Sequence, residues 1–169
     1  MSGRNAFRRL LFGSSQGIAG TVYGTIVVMA TITAGSKGGH VDMWRLAVVV
    51  GVTVLVFWVA HVYSDTLAES LERGRTLDSA EFRAVARREF AMPAAAVAPI
   101  AALVLGALDV LRDATAAWIA LGLGVATLGV VGVRYAMLER LGPGRTVVTV
   151  AINMTLGLAI VVLKALVSH

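Results

Sequence analysis

The chain has 169 residues, of which 57% are hydrophobic and 15% charged, with a mean hydropathy of +0.80. Soluble domains carry roughly a quarter charged residues, so a water-soluble globular domain is excluded. Cysteine is absent, which removes disulfides, thiolate metal sites and cysteine nucleophiles. The net charge of +5 does not indicate nucleic acid, because the basic residues fall in short segments between apolar runs and no base-stacking module is present.

In chain order, a basic arm with Arg4, Arg8 and Arg9 leads into the first of five runs without a formal charge: 10–36, 46–64, 90–108, 114–133 and 146–163. The first run is too long for a signal-peptide core and lacks a cleavage end, so it reads as a membrane helix. Each run is near the roughly 20 residues that a helix needs to cross the hydrocarbon core. Backbone groups in lipid must satisfy themselves, so the runs are helices. The expectation is an all-α integral membrane protein, a single helical-bundle domain over 1–169, with spans of about 11–34, 44–64, 91–109, 114–134 and 146–164.

Orientation follows from Lys and Arg. The arm, segment 65–89 and segment 134–145 together hold eleven of the fifteen; Lys37, Arg45, Arg112 and Lys164 fall on the other side. Positive residues stay in the cytoplasm, which predicts N-in/C-out. Trp44 and Trp118 then fall near outer ends, and Tyr63, Phe90 and Tyr135 near inner ends, as aromatic belts require. The richness in Ala, Val, Gly and Arg matches a GC-rich bacterial coding style, and the expected location is the bacterial cytoplasmic (inner) membrane.

The connections are short, with one exception. Within 65–89, Asp78-Ser79-Ala80-Glu81 has the pattern of a capping box, and Phe82, Val85, Ala86 and Phe90 follow at helical spacing. This predicts an amphipathic helix at the inner leaflet between spans two and three, bending at Pro93 into the third. Its Arg83, Arg87 and Arg88 are candidate contacts for anionic lipid. Pro99 is expected to kink the third span.

Small residues form stripes. Gly13, Gly17, Gly20 and Gly24 share one face of the first helix, and Gly122 and Gly129 lie on one side of the fourth. Such faces let helices approach closely, inside one chain, between subunits or as a permeation wall. Ser14, Thr21 and Thr25 lie beside the first stripe; Thr149 and Asn153 lie well inside the fifth run. A buried amide is either helix–helix glue or a ligand contact.

The segment Phe57 to Asp65, where the second run turns polar, carries the one histidine within any run. His61 and Asp65, four apart, share a helical face, and intramembrane ionisable groups are functional candidates by default. Imidazole titrates near neutral pH, so His61 with Asp65 reads as a pH-sensitive gate or as an interfacial cap where the helix leaves the bilayer. Glu69 extends the row, and the trio His61, Asp65, Glu69 is a weak metal ligand set, being drawn along one helix. With the N-terminus inside, these residues and Ser14, Thr21, Thr149 and Asn153 share the cytoplasmic half, which predicts a cytosol-facing polar cavity.

The run FWVAHVYSDTLAESL, followed by AVARREF and a proline-containing helix, resembles small multi-pass membrane proteins of actinobacteria over most of the chain after residue 44. The resemblance implies a membrane fold and no residue roles. No phosphate loop, nucleophile elbow, HExxH or dinucleotide fingerprint occurs, so an enzyme is disfavoured and no cofactor is expected. The expected function is an oligomeric ion channel or transporter, most simply a homo-oligomer, with a non-transporting scaffold or regulatory subunit as the alternative.

Overall fold

The computed structural model describes residues 15–36 and 42–167. Gly13 and Ser14 lie outside them. The described residues form six helices and no strand: α1 (Ser15–Gly35), α2 (Met43–Arg73), α3 (Ser79–Arg88), α4 (Ala91–Ala107), α5 (Asp113–Leu138) and α6 (Pro143–Val167). Four of them, α1, α2, α5 and α6, are long and apolar enough to cross a membrane. The bent pair α3–α4 makes a fifth if it is taken as one span.

The helix ends follow from local chemistry. Asp42 caps α2 by accepting from the Arg45 N–H at 3.0 Å. At the other end α2 runs on past the end of its charge-free run to Arg73. Gly74 then takes a left-handed φ of 63°, and the Arg75 N–H donates to Ser70 O at 3.2 Å. The capping box opens α3 as its pattern predicts: Asp78 accepts from the N–H groups of Ala80 and Glu81, and Glu81 accepts from the Asp78 N–H. Near the far end, the turn before α6 uses Arg140 (φ 50°) as its left-handed residue, although Gly142 and Gly144 stand next to it. Pro143 opens α6, where its missing N–H costs nothing.

The elbow between α2 and α3 is held by ions. Arg73 pairs with both Glu69 and Glu81, and Arg75 grips Glu81 through both guanidinium nitrogens at 2.6 and 2.9 Å. The Arg75 hydrogen bonds, then the Asp78 N–H, pull the Glu81 carboxyl from 4.5 down to about 2. A depressed carboxyl stabilises the fold above its ordinary value and loses that contribution as pH falls toward its folded value. Hydrogen-exchange protection at the Asp78 amide, which donates to Glu81, is therefore expected to hold at pH 5 and to fall as the pH approaches 2. Unchanged protection across that window would show that Glu81 does not hold the elbow.

The expected bend before the third span is present, at a different residue. The chain turns through 44° between α3 and α4 at Glu89-Phe90, ahead of Pro93. Pro93 sits in the first turn of α4, where no helical N–H partner is needed, so it starts the helix rather than bending it. Pro99 is buried inside α4, and having no N–H it leaves the Ala95 carbonyl without its helical donor.

α1 is the hub of the bundle and packs against α2, α4, α5 and α6. Around it α2 packs on α4, α4 on α5, and α5 on α6. The core is Val28, Met29 and Ile32 of α1 with Leu46, Val50 and Val54 of α2, Leu103 of α4, and Leu121 and Leu128 of α5. Glycines set the closest approaches. A β-carbon on Gly24 would lie 2.5 Å from the Met92 carbonyl oxygen, one on Gly132 3.0 Å from Val150 Cα, and one on Gly157 2.9 Å from Leu128 Cδ1. Gly20 and Gly24 of the α1 stripe are thus met inside the chain by the start of α4, with Gly20 next to Ala91. Gly129 meets Met154 of α6, and Gly122 faces outward with nothing near it.

The outer surface stays apolar. Val147, Val148, Ile152, Leu156, Val162 and Leu163 of α6 are all exposed, as are Val48, Val52, Val56 and Val59 of α2. A helix bare of polar groups on its outer face has no reason to meet water, which is the structural signature of a membrane protein. Lys164 departs from the snorkelling anchor that its position suggests. It is 6% exposed, and its ammonium lies 5.1 Å over the Trp118 ring.

Candidate functional site

α2 carries Phe57, His61 and Asp65 one turn apart, so they share a face. That face looks across at Tyr23 of α1. The Tyr23 ring lies 5.1 Å from the His61 ring at a 33° tilt and 6.0 Å from Phe57. Next to them a groove of about 520 Å³ runs along α1, open on one side. Its walls are Ala19, Gly20, Val22, Tyr23 and Ile26, and its polar end is His61, Asp65 and Glu89.

Glu89 reaches the groove because the α3–α4 turn places it there, and its backbone is tied down by N–H donation to Val85 O at 3.0 Å. Its side chain is 7% exposed, with Oε2 lying toward Gly20 of α1. Burial and the neighbouring Asp65 carboxylate both work against its negative charge. Arg88 opposes this: its guanidinium donates to Asp65 Oδ2 at 3.0 Å and to Glu89 Oε1 at 3.3 Å. The ion pair joins α2 to the end of α3 across 23 residues of sequence. Beside it Phe90 packs edge-on to Trp58 at 6.3 Å, and the buried Trp58 Nε1 has no acceptor.

Of the residues singled out by sequence, the structure brings His61 and Asp65 into one groove and adds Glu89, Arg88 and Tyr23, which the sequence reading had given no role there. The signal for Glu89 was available: it is the lone carboxylate between the basic run of α3 and the apolar run that begins at Phe90. Arg88 is turned inward by its two carboxylates, while Arg83 and Arg87 are exposed.

The remaining polar candidates do not line this groove. Thr21 donates to Gly17 O at 2.8 Å and Thr25 to Thr21 O at 2.7 Å, each within α1, and Thr25 is fully buried. Asn153 donates to Thr149 O at 3.0 Å within α6, and its β-carbon stands against Gly132 of α5. Back-bonding to the carbonyl four residues earlier satisfies these side chains without any cavity. Glu69 is taken by Arg73, and among the described residues no three His, Asp or Glu side chains gather as a metal site, so the trio His61, Asp65, Glu69 is not assembled.

Chemically, the groove offers an apolar channel, two aromatic rings, an imidazole, and a cluster of two carboxylates with one guanidinium. It can hold a proton or a cation at the end of the bundle where α3 meets α4. The chain matches no protein-family model, no curated protein and no solved structure, so the site rests on its own geometry.

Proposed function

We propose that this chain is a small membrane transport protein whose pH-responsive element is the His61, Asp65, Arg88, Glu89 cluster. The observation that carries this reading is the Glu89 carboxylate buried beside Asp65 at the end of an apolar groove that His61 also lines. Burying a carboxylate is costly, and such groups at membrane depth mark ion and proton paths. In this reading α1, α2, α4, α5 and α6 make five spans in a bacterial cytoplasmic membrane, with α3 lying along the inner leaflet, the N-terminus inside and the C-terminus outside. Several copies assemble around a path, since a bundle of this size filled by its own core leaves no wide pore. Exposed Arg83 and Arg87 of α3 hold that helix against anionic headgroups of the inner leaflet.

Proteoliposomes loaded with a pH-sensitive dye test the reading. Ion or proton flux is expected to change between about pH 5 and 8, the range in which histidine switches charge. His61→Gln is expected to flatten that dependence while leaving the protein folded. Absence of cation, anion and proton flux across this range and across applied voltages overturns the transport function. A pH profile unchanged in His61→Gln removes His61 from it.

A further inference from the structure

We propose that the groove between α1 and α2 binds a lipophilic organic monocation, its charged centre seated among Tyr23, His61 and the Glu89 carboxylate. The inference deepens the transport reading by naming a class of ligand, and it rests on that reading of the groove as the functional site.

Charge is the first argument. Two carboxylates, Asp65 and Glu89, share one guanidinium, Arg88, so the cluster keeps one negative charge when His61 is neutral. The charged and titratable groups that bear on the groove are Tyr23 from α1, His61 and Asp65 from α2, and Arg88 and Glu89 from the α3–α4 link; α4 contributes Ala91 and Met92, which carry no charge. A single positive charge completes the set.

The walls decide what kind of cation. A hard metal ion wants about six oxygen ligands, and here one carboxylate oxygen of each acid is already engaged by Arg88. A quaternary ammonium or phosphonium centre needs no such shell. It is drawn to aromatic faces and carboxylates together. Tyr23 and His61, 5.1 Å apart, supply the rings, and Ala19, Val22 and Ile26 supply an apolar wall for its substituents. The volume of about 520 Å³ lies within the usual range of small-molecule sites, roughly 300–1,000 Å³. Tyr23 and Phe57 are both 38% exposed on the outside of the bundle, so the groove opens sideways, where lipophilic cations concentrate. A positive charge placed on His61 would compete with that of the ligand.

Equilibrium dialysis of tetraphenylphosphonium against the full chain in zwitterionic-lipid nanodiscs tests the inference. Saturable binding is expected, weakening as pH falls from about 8 to about 5 as histidine charges. Glu89→Gln is expected to weaken binding about tenfold, as loss of a close charge partner does. Arg88→Gln frees both carboxylates from their competing guanidinium and is expected at pH 8 to strengthen binding severalfold, a change that loss of structure cannot produce. Should Glu89→Gln fail to fold, Tyr23→Leu, on the exposed wall, is expected to weaken binding severalfold without touching the charges. Tetraphenylborate, the anion of the same shape, is expected not to saturate. Equal binding of both ions, or Arg88→Gln shifting affinity downward or not at all, overturns the inference. A chain that binds the phosphonium but moves no ion in liposomes sinks the transport reading alone; one that moves ions without binding it sinks this inference alone.

Discussion

Replacing Gly24 by alanine lowers the stability of the bundle by about 1–3 kcal/mol, the usual cost of overpacking. The loss comes in spite of the gain of up to about 1 kcal/mol that alanine brings to a helix interior. The new β-carbon would meet the Met92 backbone at 2.5 Å from its oxygen and 3.0 Å from its Cα, and backbone cannot rotate aside. The two helices must therefore separate, and Met92, fully buried, loses its contacts with them. Gly122→Ala is the matched control, because nothing lies near a β-carbon there. It is expected to stay within about 0.5 kcal/mol of the parent or to gain slightly. Unfolding by titration with a denaturing detergent in mixed micelles reads both. Equal losses at the two positions would show that glycine itself, and not the approach of α4, sets the effect.

The second large effect lies where α1 crosses α5. Met29 is fully buried, and its Cγ and Sδ both lie 2.6 Å from the place of a β-carbon on Gly124. Met29→Ala removes most of a core side chain and is expected to cost about 2–5 kcal/mol. Gly124→Ala alone is milder, about 1 kcal/mol at the low end of overpacking, because a thioether chain can swing away. Together the two changes compensate: the added methyl occupies part of the space that Met29 vacates. The double variant is expected to be about 0.5–3 kcal/mol more stable than the summed single losses. Strict additivity would mean that the two side chains do not share that space. Gly24 and Gly124 thus look alike in sequence, as glycines inside apolar helices, yet one meets rigid backbone and the other a pliable thioether.

That contrast shows what could be read in advance. Helix positions were legible because charge-free runs and caps are local: the Asp78–Glu81 box and the runs behind α1, α5 and α6 stand where their patterns place them. The end of α2 was less so. Its charge-free run stops at Ser64, but a helix needs no apolar residues to continue and stops only at Gly74. The sharing of a face by His61 and Asp65 follows from spacing alone. Their partners did not, because Arg88 and Tyr23 arrive from distant segments whose packing depends on how closely Gly20 and Gly24 admit the start of α4. The polar residues Thr21, Thr25, Thr149 and Asn153 suggested a shared cavity because a sequence shows donors but not acceptors. The acceptor that Thr21, Thr25 and Asn153 each use is a carbonyl of their own helix, which is always within reach.

This inward bonding divides what holds the chain together from what makes it responsive. The hydroxyls of Thr21, Thr25, Thr31, Thr127 and Thr155 are satisfied inside their own helices, so where these helices meet, cohesion is a matter of shape and side-chain volume. The ion pairs of the elbow and around Arg88 tie α2 to α3 at one end. Ionic strength and acidity therefore act on that end and leave the glycine-packed crossings untouched. The molecule can be tuned electrically without being loosened mechanically.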